Sequence, residues 1–223
     1  MRYLLILFAA MFALTSCGDF YVLGGEPDPW DSITMRVGRD SACVMQGDSM
    51  PLRVGFSPSD PSMTSVYWYS TDMEVATIKN DTMVAATPGD VNVIAVSANG
   101  RLSDTCRVKV IDRWEADRLE YSNPYDMVVY AHILVGGEEW DAENQMVAAF
   151  LGQELVGVAV PQEAYGIHYA LIRLWTDVDV DAGNIFLRCY DRRNFILYEC
   201  DQMLDHNALK SLGTLSSLYP INF

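Results

Sequence analysis

The chain has 223 residues, half of them hydrophobic, and a formal charge of −15 from 30 acidic against 15 basic side chains. That apolar content excludes a disordered chain and suffices for one or two packed cores. The acidic excess repels phosphate backbones, which excludes nucleic acid as a partner.

The N-terminus reads as a targeting signal. Arg2 supplies a positive start, and Tyr3 to Leu14 is an apolar run of about a dozen residues, short of the roughly 20 that span a bilayer. Small residues Thr15 and Ser16 lead to Cys17, followed by Gly18 and Asp19. This arrangement resembles the lipobox of bacterial lipoproteins. The resemblance implies that residues 1–16 are a signal peptide, that cleavage falls before Cys17, and that Cys17 carries acyl chains. Several such chains anchor a protein stably where one is marginal. The expected location is the outer membrane, facing the cell surface or the periplasm. Residues 17–30 contain Gly24-Gly25, Pro27 and Pro29, the composition of a tether.

Residues 31–112 are a series of short alternating runs parted by turn residues: Ser32–Val37, Ala42–Gln46, Pro51–Phe56, Val66–Ser70, Val75–Lys79, Thr82–Ala86, Val91–Ser97 and Leu102–Ile111. Strands at this spacing predict an all-β sandwich. Trp68, within a central run, is expected in the core. The residues Gly47-Asp48-Ser49, Leu52, Pro58, Trp68 with Ser70 and Asp72, Val75-Ala76-Thr77-Ile78, Pro88-Gly89 and Thr105-Cys106-Arg107-Val108 resemble the bacterial Ig-like domain of group 2. That resemblance implies an Ig-like sandwich, common in surface proteins and adhesins, often serving as a spacer. Between Asn80 and Ala86 the turn glycine of many relatives is absent. Cys43 and Cys106 lie on the first and last edge runs; a disulfide between them stays open, subject to a Cα separation under about 7 Å.

A charged junction, Asp112–Arg118, follows, with Trp114 as a candidate for packing between the halves. Residues 113–223 form a second expected β-sandwich. Its runs are Met127–Val135, Met146–Phe150, Leu155–Val160, Ile167–Trp175, Ile185–Tyr190, Phe195–Cys200 and Leu218–Phe223, with one helical turn or a loop at Leu204–Leu212. Pro220 suits an edge strand. The features Tyr125-Asp126-Met127, Val147-Ala148-Ala149-Phe150 with Gly152 and Gly157, Phe186–Asp191 and Leu212-Gly213-Thr214-Leu215 resemble a β-sandwich module of surface lipoproteins from Gram-negative gut anaerobes.

With Asp191–Asn194 as a turn, Ile185, Leu187 and Cys189 share a core face with Ile196, Tyr198 and Cys200. Cys189 then stands opposite Ile196, too far from Cys200 to bridge at roughly 3.3 Å per residue. The opposite face carries Phe186, Arg188 and Tyr190 beside Phe195 and Glu199, and in the preceding run Tyr169, Arg173 and Trp175. If these strands share a sheet, its outer face is rich in aromatics and arginine, which suits a glycan or a surface protein. The candidate ligand contacts are therefore Tyr169, Arg173, Trp175 and Tyr190, unless that face packs on the first sandwich.

Little points to catalysis. Asp177-Val178-Asp179-Val180-Asp181-Ala182-Gly183-Asn184 alternates acids as a calcium loop does, but its glycine is one place late and Arg188 stands where a closing Glu belongs. The same alternation marks an exposed strand end, and no metal is assigned. His132, His168 and His206 have no spaced partners, the serines lack a G-x-S-x-G elbow, and no glycine loop would cradle phosphate. Glu138, Glu139 and Asp141 beside Trp140 have the makings of a carboxylate pair but sit in a turn. The expectation is a non-enzymatic, cofactor-free, lipid-anchored binding or adhesion protein of two tandem β-sandwiches. The alternative is a structural accessory subunit of an envelope complex.

Overall fold

The computed structural model describes residues 32–58, 65–115, 127–175, 184–205 and 210–223. The chain divides into two units, Met1–Ile33 and Thr34–Phe223, and both sandwiches belong to the second. The signal, Cys17, the tether and the acidic run Asp177–Asp181 lie outside the described residues, as does His206. Among the described residues no helix is long and apolar enough to cross a membrane.

The first nine strands are β1 (Thr34–Val37), β2 (Ser41–Met45), β3 (Ser49–Pro51), β4 (Val54–Ser57), β5 (Val66–Ser70), β6 (Ala76–Lys79), β7 (Thr82–Ala85), β8 (Gly89–Ser97) and β9 (Ser103–Ile111). They form a four-stranded sheet β2-β9-β8-β5, a three-stranded sheet β3-β7-β6 and the pair β1-β4. Alternation sends Val44, Met50, Met83, Val93, Ala95, Cys106, Val108 and Val110 into one core, with Trp68 packed at its margin. The run Pro51–Phe56 divides: Pro51 ends β3, which pairs with β7, while β4 turns to β1. Where the glycine is absent, Asn80 and Asp81 take φ of 49° and 53° and join β6 to β7 as a two-residue turn. Asn and Asp are the side chains that tolerate this left-handed geometry.

The remaining strands are β10 (Met127–Val135), β11 (Glu138–Glu139), β12 (Gln145–Leu151), β13 (Glu154–Ala164), β14 (Ile167–Leu174), β15 (Asn184–Asp191), β16 (Ile196–Glu199), β17 (Leu204–Asp205), β18 (Lys210–Leu212) and β19 (Tyr219–Asn222). The stretch expected as a helical turn or loop thus begins and ends in strands β17 and β18. All ten belong to one sheet, in the order β11-β10-β14-β13-β12-β15-β16, with β18 and β19 parallel to β10 and β17 on β15. The sheet folds over a single core of Met127, Val129, Ile133, Val147, Ile172, Leu174, Ile185, Leu187 and Ile221. Its free ends meet where the Cys200 thiol donates to the Asn222 carbonyl at 3.1 Å. Two glycines permit the curvature. A Cβ on Gly157 would stand 2.7 Å from the Arg173 carbonyl, and one on Gly213, at φ 70°, 2.5 Å from the Tyr130 carbonyl.

The β15–β16 loop is Arg192–Phe195, the same four-residue length as the expected turn but one position later, so Cys189 faces Tyr198 rather than Ile196. The shift is by two residues, so the core face keeps its parity. The described cysteines are free. Cys43 and Cys106 lie on adjacent strands, but Cys43 is in register with Lys109, and only Cys106 points into the first core.

Strict alternation fails in three places. β2, β12 and the end of β15 are buried on both faces. In β2, Ala42 and Val44 enter the first core while Met45 joins a separate cluster; in β12, Val147 and Ala149 enter the second core while Ala148 and Phe150 join that same cluster. The cluster is the junction of the two sandwiches, and Trp114 is its centre. Only 6% exposed, Trp114 packs edge-on against Phe150 at 5.5 Å and Tyr190 at 6.5 Å. Removing a side chain so placed leaves a cavity that neither sandwich can close. Trp114→Ala is expected to cost about 3–5 kcal/mol in urea unfolding. It should also speed labelling of Cys43, which is buried on the β2 face turned toward this junction.

Candidate binding face

Which part of the curled sheet is available to a ligand depends on what the junction covers. The loop Arg192–Phe195 reaches across and inserts Phe195 into the first core. Phe195 sits at φ 55°, a left-handed conformation that costs an aromatic residue roughly 1–2 kcal/mol. Its surroundings hold it there. The Cys43 N–H donates to the Phe195 carbonyl at 2.9 Å, the Arg39 guanidinium lies 5.0 Å above the Phe195 ring, and Arg39 donates to the Asn194 carbonyl at 2.6 Å.

Asp191 shapes this loop. Its carboxylate accepts the Asn194 N–H at 2.8 Å, the Asn194 side-chain amide at 3.0 Å and the Gln145 amide at 3.4 Å. Burial alone would raise the Asp191 carboxyl, but these hydrogen bonds outweigh it and hold the group below its ordinary value. Beside the loop, Asp48 accepts from the Tyr190 hydroxyl at 3.2 Å and from Arg192 at 3.0 Å. Burial pushes the Tyr190 phenol well up, so it remains a donor. Asp48 belongs to the Gly47-Asp48-Ser49 turn of the first sandwich. One turn of each sandwich therefore grips the other.

This corrects one expected ligand contact. Tyr190 is fully buried between the sandwiches, because its side of β15 packs under Trp114. Its neighbours on that side are largely committed as well: Arg188 lies 4.9 Å over the Phe150 ring and pairs with Glu199 at 3.2 Å. Phe186, nearer the strand end, stays partly exposed.

The strands do share a sheet, and the rest of its outer face is open. Its register sets out the rows. Val128 stands opposite Arg173, Tyr130 opposite Leu171, Leu171 opposite Val160, and Tyr169 opposite Gln162. Tyr130 and Tyr169 lie ring to ring at 5.8 Å with their planes tilted by 36°. Tyr169 is half-buried, Arg173 is exposed, and Val160 is 42% exposed. Trp175, just past β14, is half-buried, with its backbone N–H donating to the Val156 carbonyl at 2.9 Å. The structure thus brings Tyr169, Leu171, Arg173 and Trp175 along one strand and its end, and adds Tyr130, Val128 and Val160 from its neighbours. The alternation in Met127–Val135 was enough to find Tyr130; its pairing with β14 was not readable from sequence. The arrangement is a shallow apolar and aromatic strip bordered by a guanidinium and an amide. Such a strip stacks on flat or apolar ligand faces while its rim forms hydrogen bonds.

Two of the candidate acids have side-chain partners. Glu139 bonds the His132 Nε2 at 2.9 Å, and the Trp140 indole donates to the Gln145 carbonyl. Asp141 accepts from the Asn144 amide at 2.8 Å, and this bond above all holds its carboxyl below the usual range. A carboxyl so held is a poor proton donor at neutral pH. His168 lies 4.0 Å from Glu163 on the β13–β14 hairpin. Among the described residues no three His, Cys, Asp or Glu side chains are grouped to hold a metal ion. Burial raises the Cys43 thiol to about 11 and the Cys189 thiol to about 12, which leaves both unreactive.

Residues 33–108 match the bacterial Ig-like domain (group 2). No curated protein matches the chain. Among solved structures, the chain is similar to surface layer protein SbsC, domains 4–9, at 13% identity and TM-score 0.31, with 79% of this chain and 31% of that one covered. It is similar to domains 5–6 of the same S-layer protein at 13% identity and TM-score 0.30, covering 81% of this chain and 98% of that one. It is also similar to the Bacteroides ovatus mixed-linkage glucan utilization locus protein SGBP-B, solved with a mixed-linkage heptasaccharide, at 19% identity and TM-score 0.23. That likeness covers 82% of this chain and 46% of the other. The chain thus spans about a third of the first of these structures and under half of the last.

The lowered Asp191 carboxyl sets a pH dependence. Its stabilisation is complete above the unfolded carboxylate value of about 4 and is lost as pH falls through the lower folded value. Asp191→Asn is expected to lower stability near pH 7 by about 1–3 kcal/mol in urea titrations. The deficit should shrink on acidification below about pH 4, where the parent loses the same hydrogen bonds.

Proposed function

We propose that the protein is a lipid-anchored binding or adhesion protein of the bacterial outer membrane. Cys17 carries the lipid, residues 17–30 form the tether, and the second sandwich contacts a glycan or a surface protein. Residues 31–112 act as the Ig-like domain and 113–223 as the binding domain, without catalysis or a cofactor. The observation that carries the reading is the split of one sheet face. Its Tyr190 half is closed under Trp114, and its Tyr130–Tyr169 half is left open with Arg173 at its border. A sheet face that served only the fold would be covered or polar. The Ig-like match of residues 33–108 supports a place at the cell envelope.

One observation favours a second reading, a structural accessory subunit docked on an envelope partner. The row Tyr130, Leu171 and Val160 is apolar across three strands, as the centre of a protein interface is.

Two experiments test the proposal. Cys17→Ser should abolish incorporation of labelled palmitate and release the protein from the membrane fraction; unchanged membrane retention would contradict the anchor. Tyr169→Ala with Arg173→Ala should weaken binding on a glycan array by about tenfold or more. No array binding by the parent, with co-purification of an envelope protein lost in the same variant, would favour the accessory reading.

A further inference from the structure

The outer face of the four-stranded sheet in the first sandwich has a composition that the fold does not require. The register lays it out in rows. One row runs Tyr67, Val96, Ser103 and the next Tyr69, Ile94, Thr105, across β5, β8 and β9. Beyond them Asn92, Arg107 and Ser41 line up across β8, β9 and β2, and the Thr71 N–H donates to the Asn92 carbonyl at 3.0 Å. Asp90 and Lys109 pair in the row after that. Tyr67 is 60% and Tyr69 53% exposed, whereas Trp68 between them turns to the core. A groove of about 380 Å³ crosses the polar rows, lined by Ser41, Thr71, Asp90, Asn92, Arg107 and Lys109.

We infer that this face of the Ig-like sandwich is a second binding site, whose ligand is an uncharged polysaccharide chain. Two residues apart on one strand, Tyr67 and Tyr69 point the same way at a spacing of roughly 7 Å, so one extended chain can lie across both rings. The C–H faces of pyranose rings stack on such electron-rich faces. The adjoining groove offers an amide, a guanidinium, an ammonium, a carboxylate and hydroxyls, both donors and acceptors for sugar hydroxyls. Charge selects among glycans. Asp90 offsets one of the two cations Arg107 and Lys109 on the face, and the whole chain is at −15, so a polyanion is repelled overall. A protein partner fits less well. The apolar part is only Tyr67, Tyr69, Ile94 and Val96, against the roughly 20–30 residues a side of a stable protein interface. At its opposite, β2 edge the same sheet is closed by the second sandwich through the Cys43–Phe195 hydrogen bond. The two tyrosines stand on β5, at the edge of this sheet farthest from β2.

Affinity gel electrophoresis of the full chain tests this, with hydroxyethylcellulose, galactomannan and xyloglucan as uncharged probes and polygalacturonate as the charged one. At least one uncharged probe should retard the protein. Tyr67→Ala with Tyr69→Ala should weaken that retardation by about tenfold, and Asn92→Ala should weaken it to a lesser degree. Thermal melting should stay unchanged, since both tyrosines are exposed. Tyr169→Ala should leave the retardation intact, which separates this site from the one on the second sandwich. Retardation by no uncharged probe, retardation by polygalacturonate alone, or retardation lost in Tyr169→Ala but kept in the Tyr67/Tyr69 variant would each overturn the inference.

Discussion

The structure depends on one constraint: a single sheet in the second sandwich has too much apolar outer face to stand alone in water. Part of it, Ala148, Phe150 and Tyr190, is closed by Trp114 and Met45 from the first half of the chain. Trp114 is suited to that place because it follows β9 within three residues and so cannot stray from the first sandwich. Its edge-on contacts with Phe150 and Tyr190 bury large ring surfaces at a geometry that aromatic quadrupoles favour. The loop that delivers Phe195 to the first core works in the opposite direction. Each sandwich thus completes the other, and the polar turn residues Asp48, Asp191 and Arg192 fix the relation between them through hydrogen bonds.

That closure has a structural consequence. An Ig-like module that serves only as a flexible spacer would meet its neighbour through a small polar contact. Here the junction has an aromatic centre, and a strained backbone at Phe195 is tolerated because its surroundings fix it. A rigid pair presents its remaining faces at a fixed angle. The open strip on β10, β14 and β13 and the tyrosine rows on the first sandwich are then held in one orientation.

Much of the fold was legible in sequence, because alternation is a direct image of a sheet with one wet face. Val66–Ser70 and Met127–Val135 are legible to the residue, and the parity of the β15–β16 face survives a loop displaced by one position. The junction was harder to see. Ser41–Met45 and Gln145–Leu151 lose alternation because both of their faces are buried, yet a short continuous apolar run looks the same whether its second face meets a helix, a sheet or another domain. Tyr190 was placed on the correct side of its strand, but sequence carries no sign of what covers that side. Tyr169, Arg173 and Trp175 were legible as neighbours along one strand, whereas Tyr130 became their partner only through a pairing some forty residues distant in the chain. Pro51–Phe56 misled for a related reason: one apolar run served two strands with different partners.

The central claim is that the two sandwiches fold and move as one body. Calorimetric unfolding of the protein tests it most directly. A single transition whose calorimetric and van't Hoff enthalpies agree is the predicted result. Two resolved transitions, each with the enthalpy of one sandwich, would contradict it.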